Sequence, residues 1–126
     1  MSPRATGATQ HELSRIHLLA SLPGETLARL AQRMEREDIA AGEGVVTEGE
    51  EGDRFYVVLN GILAVSQESR GAQRVLRPGA YFGEVALAMD MPRTASVRAM
   101  TPVTVASCDR ATFDEFIRPL FADDAK

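Results

Sequence analysis

Apolar residues along the chain change their spacing twice. Leu13, Ile16, Leu18 and Leu19 recur at near-helical intervals, and Leu22-Pro23 breaks the pattern, which predicts a short helix followed by a turn. From Gly24 the segment GETLARLAQRME places Leu27, Leu30, Ala31 and Met34 on one face, with Glu25 in the first turn, where the helix dipole favours a carboxylate. A second, amphipathic helix is predicted there. Near Ile39 the texture changes. Val45-Val46, Phe55 to Leu59, Ile62 to Val65 and Arg74 to Leu76 are short runs of strand-forming character, punctuated by Gly42, Gly44, Gly49, Gly52, Gly61, Gly71, Gly79 and Gly83. Many short strands joined by tight turns build a sandwich or jelly roll. VALAMD, residues 85 to 90, lacks turn formers and suits one or two helical turns, after which Ser96 to Ala99 and Val103 to Ser107 resume strand character around the turn-like Thr101-Pro102. Asp109 can cap a last helix, whose Phe113, Phe116 and Ile117 stripe runs until Pro119. The order is helices, barrel, helix. One domain over residues 11–120 is expected, after a flexible N-terminus at residues 1–10 and before a short tail at residues 121–126.

Composition narrows the function classes. A chain of 126 residues buries one core without disulfides or metals to staple it. The net charge of -4 supplies no overall basic field, so direct nucleic-acid binding is disfavoured. No run approaches the roughly 18 apolar residues of a membrane span, and the first ten residues, MSPRATGATQ, are polar, so a cytoplasmic location is expected. A self-contained protein and an excised cytosolic domain of a channel or larger regulator are both compatible with the sequence, and Met1 and that polar start lean slightly toward the first as an expectation. The lone Cys108, inside VTVASC, reads as a small core hydrophobe.

The segment that carries chemistry is Phe82-Gly83-Glu84-Val85-Ala86-Leu87, followed after a short gap by Pro92-Arg93-Thr94-Ala95-Ser96-Val97. A glycine lets backbone approach a ligand closely, and the start of a short helix offers unpaired N–H groups to an anion. Arg93 adds a forked, permanently charged donor suited to phosphate oxygens, whereas Glu84, an acceptor when ionised, suits a sugar hydroxyl beside it. Two readings fit this spacing: a ribose-phosphate pocket, or an Arg–Glu pair on a barrel rim, which contributes little.

FGEVALAMDMPRTASV resembles the phosphate-binding cassette of the cyclic-nucleotide-binding domains found in cAMP- and cGMP-dependent kinases, cyclic-nucleotide-gated channels and catabolite-activator-type regulators. The resemblance covers about residues 13 to 117. Upstream it takes in LLASLPGETLARLA, Gly42-Glu43, Glu48-Gly49-Glu50-Glu51-Gly52-Asp53 and Phe55-Tyr56-Val57-Val58-Leu59-Asn60-Gly61. It implies a mainly β fold with flanking helices: a β-roll or double-stranded jelly roll with N-terminal helices, a short phosphate-binding helix and a C-terminal helix. It also implies cAMP or cGMP as ligand. Arg93 would pair with the cyclic phosphate, the N–H groups of Gly83, Thr94 and Ala95 would bond its oxygens, and Glu84 would accept from the ribose 2′-hydroxyl. Phe82, Val85 and Ala86 complete the expected site, with Leu87 nearby on the short helix. Val65 and Leu76 align with positions on the purine side and equally suit plain barrel core. A threonine after the cassette arginine favours cGMP in relatives, so Thr94 permits cGMP without excluding cAMP. Arg74 stands where relatives often have an apolar residue near the base; it either stacks on the purine or points to solvent.

The chain departs from relatives at its end. Pro119 interrupts where a longer helix usually closes over the base, which leaves a short or missing lid; Phe121 either covers the base or anchors on the barrel. A protein partner, a second copy or further downstream sequence could supply the cover. No helix-turn-helix follows the barrel, no Arg-Arg-x-Ser/Ala stretch precedes it, and no membrane segment is present in this sequence, so a sensor domain that signals through its helices is expected. Two other classes compete. A cupin-like metal enzyme needs two or three histidines inside the barrel, and only His11 and His17 exist, both in the N-terminal helical segment. An interaction module of the same fold that no longer binds ligand is opposed by the intact Gly83, Glu84, Arg93 and Ala95.

Overall fold

The computed structural model describes residues 8–69 and 71–124. Within them, eight strands form two four-stranded antiparallel sheets. The strands are β1 (Glu35–Ile39), β2 (Gly44–Val46), β3 (Arg54–Asn60), β4 (Leu63–Gln67), β5 (Gly71–Leu76), β6 (Tyr81–Phe82), β7 (Ser96–Ala99) and β8 (Val103–Asp109). One sheet has the order β1-β8-β3-β6 and the other β2-β7-β4-β5. Helices α1 (Gln10–Ser14) and α2 (Gly24–Arg33) precede the roll, α3 (Glu84–Ala88) interrupts it, and α4 (Arg110–Thr112) and α5 (Arg118–Asp124) follow it. The β-roll with flanking helices is the expected fold. Among the described residues no helix is long and apolar enough to cross a membrane.

The near-continuous apolar runs of β3 and β8 have a simple cause: their sheet is buried on both faces. Because side chains alternate, Tyr56, Val58, Val103 and Val105 point into the roll, where they meet Leu63, Val65, Leu76, Val97 and Ala99 of the second sheet. Phe55, Val57, Ala106 and Cys108 point outward under the helices, onto Leu13, Ile16, Leu19, Leu30, Leu87, Phe113 and Ile117. The register couples the two strands directly, with Phe55 opposite Cys108 and Val57 opposite Ala106.

Four features differ from the sequence reading. The ordered chain starts before residue 11. Ala8 is buried, and Thr9 caps α1 in a capping box with Glu12, so Thr9 and Gln10 belong to the fold; residues 1–7 of the expected flexible segment lie outside the described residues. The first helix is split, because Ile16 is extended (φ -88°, ψ 118°) and a separate 3₁₀ turn, His17–Leu19, brings Leu19 into the core. The polar segment Glu35–Ile39, for which the sequence pattern predicts no strand, is an edge strand against β8. Only Ile39 of β1 is buried, and charged side chains along such an edge discourage pairing with other chains, so no period-2 signal exists to announce it. Finally, the C-terminal helix does not stop at Pro119. A π-turn, Phe113–Ile117, leads into α5, and its wider spacing accommodates a residue that lacks an N–H. Phe121, expected in a tail, lies in α5 and packs edge-on against Tyr81, ring centroids 5.8 Å apart. It anchors on the barrel.

Gly61 links β3 to β4 with φ +89°, and a Cβ there would strike the carbonyl oxygen of Pro102 and approach Val103 Cα to 2.8 Å. Gly42 has φ +90° with nothing within 4 Å of such a Cβ. Gly42→Ala is therefore expected to lower stability by the left-handed conformational term alone, about 1 kcal/mol, and Gly61→Ala by clearly more, about 3 kcal/mol. Urea unfolding of the two variants checks the difference.

Candidate functional site

Residues from six elements converge on one open cleft. Its lining is Val46 (β2), Val65 (β4), Arg74 (β5), Phe82 (β6), Gly83, Glu84, Val85 and Ala86 around the start of α3, and Arg93, Thr94, Ala95 and Val97 at the entry to β7. Nine of the ten site residues expected from the sequence are therefore brought together. The exception is Leu76, which is 3% exposed within the inner core and does not reach the cleft. It is barrel core because its position on β5 points it between the sheets.

Arg93 dominates the site. Its side chain is buried, at 7% exposure, and it donates to the carbonyls of Arg54 (Nη2, 3.0 Å) and Gly83 (Nη1, 3.3 Å). Among the described residues no carboxylate forms an ion pair with it, so the rim pair with Glu84 does not exist. Burial pulls its pKa down, partly offset by Tyr56, Asp53 and Glu84. A cation held on neutral carbonyls keeps its charge unmatched at the cleft, and its remaining N–H donors are free to meet an anion.

The loops around this arginine fold to place it. The N–H of Arg93 donates to the Glu50 carbonyl and its own carbonyl accepts from Gly49, both at 2.9 Å, which clasps the segment to the 47–50 turn. Ser96 Oγ accepts from the N–H of Glu48 at 2.9 Å, one step further along. Gly52 needs no left-handed backbone, yet a Cβ on it would collide with the Nε, Cζ and Cδ atoms of Arg93. Gly83 does adopt a left-handed φ of 95° as the N-cap of α3, and a Cβ there would meet the Arg54 carbonyl at 2.8 Å and Arg93 Nη1 at 2.9 Å. Both glycines are thus cut to the arginine. Phe82 forms the floor, stacked on Tyr56 with ring centroids 4.8 Å apart and planes 5° from parallel.

Glu84 opens α3, half-buried on the cleft. Burial raises its carboxyl above the ordinary value, while its own backbone N–H, Arg74 and Arg93 lower it. The N–H groups of the first turn of α3 have no intrahelical acceptors and belong to the same rim. Thr94 is exposed, and its carbonyl accepts from Gln67 Nε2 at 2.7 Å. Arg74 is exposed at the mouth, with its charge close enough to favour the ionised form of Glu84. Cys108 is no part of this chemistry: burial, then Asp109, pushes its thiol up to about 12, and it sits in the outer core. His11 and His17 are exposed on the N-terminal elements, outside the cleft.

Three contributors escaped the sequence reading. Val46 and Val97 join Val65 only through sheet pairing, with Val97 opposite both. Gly52 reads as one more turn glycine in GEEGD, and only the fold shows that its missing side chain is the space Arg93 occupies.

Comparison with known proteins bears on the family and the fold. The family described as the cyclic nucleotide-binding domain matches residues 36–119. A cAMP-dependent protein kinase regulatory subunit of Eremothecium gossypii is 39% identical over 108 residues, which is 86% of this chain and 24% of that protein. A cGMP-dependent protein kinase of Caenorhabditis briggsae is 33% identical over 114 residues, 86% of this chain and 15% of that protein. The chain therefore spans about a quarter or less of the length of these relatives. The regulatory domain of Toxoplasma gondii PKA solved with cAMP superposes with a TM-score of 0.83 at 27% identity, over 92% of this chain and 48% of that one. On its fold, its cassette and these matches, the chain belongs to the cyclic nucleotide-binding domain family.

Proposed function

We propose that the cleft binds a cyclic nucleotide, cAMP or cGMP, and that the domain acts as a sensor without chemistry of its own. The observation that carries this reading is the buried, unpaired charge of Arg93 at the cleft. A cyclic phosphodiester carries one negative charge, which one guanidinium neutralises without a metal. The phosphate sits against Arg93 and the N–H groups of Gly83, Thr94 and Ala95. Glu84 accepts from the ribose 2′-hydroxyl, and the apolar faces of Val46, Val65, Val97 and Ala86 hold the flat purine. Phe82 and Val85 complete the walls. Thr94, at the rim, permits cGMP without excluding cAMP. A protein partner or a second copy covers the exposed side of the base.

Binding is read out through α3. Ala86 lines the cleft, while Leu87, the next residue, is fully buried among Phe113, Phe116 and Ile117 and the N-terminal helices. A ligand that draws α3 towards Arg93 moves Leu87 against that helical core and shifts a two-state equilibrium of the helices.

Calorimetric titration with cAMP and cGMP tests the reading, and the ratio of the two affinities reports what Thr94 selects. Arg93→Ala removes charge-assisted bonds of about 1.5–3 kcal/mol each, so a loss of affinity of about 100-fold or more is expected for both nucleotides. Gly52→Ala, which leaves every ligand contact chemically intact but fills the space of the guanidinium, is expected to cause a loss of similar size. No binding to the wild-type chain, or binding indifferent to Arg93→Ala, would overturn the proposal.

Glu84 supplies a pH signature. Its raised carboxyl value favours the ligand-free fold below the ordinary value of the unfolded chain, and this contribution is lost as pH rises through the folded value. Affinity runs the other way, because the ionised acceptor makes the stronger bond to the 2′-hydroxyl. Binding is expected to weaken as pH falls from neutral through a range above the ordinary glutamate value. Glu84→Gln should flatten that profile and weaken binding at neutral pH about tenfold; an unchanged slope in Glu84→Gln would assign the pH dependence elsewhere.

A further inference from the structure

The C-terminal end of α3 is closed by side chains from another helix. In a five-residue helix the last carbonyls have no partners within the helix. Met89 N–H donates to Val85 at 2.9 Å, and Met91 N–H reaches back to Ala86 at 3.1 Å, which leaves the Leu87 carbonyl without its usual donor. The Ala88 carbonyl would need an N–H from residue 92, and that residue is Pro92. Arg118 fills both vacancies: Nη2 donates to the Leu87 carbonyl at 3.0 Å and Nη1 to the Ala88 carbonyl at 3.2 Å. Arg110 Nη1 adds a weaker bond to Leu87 at 3.3 Å.

Arg118 is itself firmly set. Its Nε donates to Asp114 Oδ1 at 2.9 Å, and its guanidinium lies over the Phe113 ring, 5.6 Å from the centroid. It is the first residue after the π-turn, and its own N–H donates to the Phe113 carbonyl. One planar group thus ties two successive carbonyls of the pocket helix to two residues of the C-terminal helix. Lysine, a single-point donor on a flexible stem, cannot span both.

We propose that Arg118 is a positioning residue of the pocket helix: its fork holds α3 and the Phe113–Phe121 region as one body. Where the cleft binds a cyclic nucleotide as proposed above, this fork is the polar half of the link whose apolar half is Leu87. Arg118 touches no ligand, and its effect on the site runs through α3.

Hydrogen exchange on the full chain tests this. Without ligand, Arg118→Ala is expected to speed exchange at the amides of Met89 and Met91 about tenfold. Arg118→Lys should give a smaller effect and serves if Arg118→Ala fails to fold. Arg33→Ala, which removes an exposed ion pair to Glu115 (3.1 Å) on the same C-terminal segment, should leave both amides unchanged. With saturating cAMP, the wild-type chain should change its exchange across residues 113–121, and Arg118→Ala should lose that change while its affinity stays within about tenfold. Unchanged exchange at Met89 and Met91 in the ligand-free Arg118 variants overturns the proposal, as does a full ligand response at residues 113–121 in Arg118→Ala. Failure of the wild-type chain to bind cAMP or cGMP overturns the reading of the cleft instead, and the ligand-free comparison then decides the role of Arg118 alone.

Discussion

A buried guanidinium, without a carboxylate partner among the described residues, organises the cleft. Burying an unpaired charge is expensive unless hydrogen bonds and nearby dipoles compensate it, and here two backbone carbonyls, of Arg54 and Gly83, take that part. The compensation is incomplete by construction, since carbonyls satisfy donors without neutralising charge. Several local features follow from that one placement. Gly52 and Gly83 leave room for the side chain, the 47–50 turn clasps its backbone, and the left-handed φ of Gly83 starts α3 beside it. For the cyclic nucleotide proposed as ligand, such a cleft is set before binding, so less reorganisation would be needed.

The same cleft lies where two cores meet. The sheet β1-β8-β3-β6 is apolar on both faces, one towards the roll and one towards the helices. Helix α3 stands across that boundary, with Ala86 on the cleft and Leu87 in the helical core. Close-packed interiors do not deform continuously, so a small displacement of α3 must be accommodated by repacking of the helices. The guanidinium of Arg118 reinforces the contact with directional bonds. Apolar packing alone lets surfaces slide, whereas two fixed bonds to consecutive carbonyls define an orientation.

Much of this was legible in the sequence because it depended on local rules. The apolar run of Phe55 to Leu59, the turn glycines, the cap at Asp109 and the cassette from Phe82 to Val97 announce themselves within a few residues, since strand-forming composition, turn chemistry and capping are local properties. The mainly β roll and its flanking helices followed from them, whereas the ten expected site residues came from the resemblance to a family, and nine of these line one cleft. Tertiary structure decided what local rules do not reach. The charged strand Glu35–Ile39 exists because β8 offers it a partner, and Leu76 is core because of the face it occupies. Pro119 passes through a helix because a π-turn precedes it. Gly52 matters because Arg93, far along the chain, fills the space beside it. Each of these depends on which distant residues meet, and a spacing pattern along one chain carries no information about its partner across the fold.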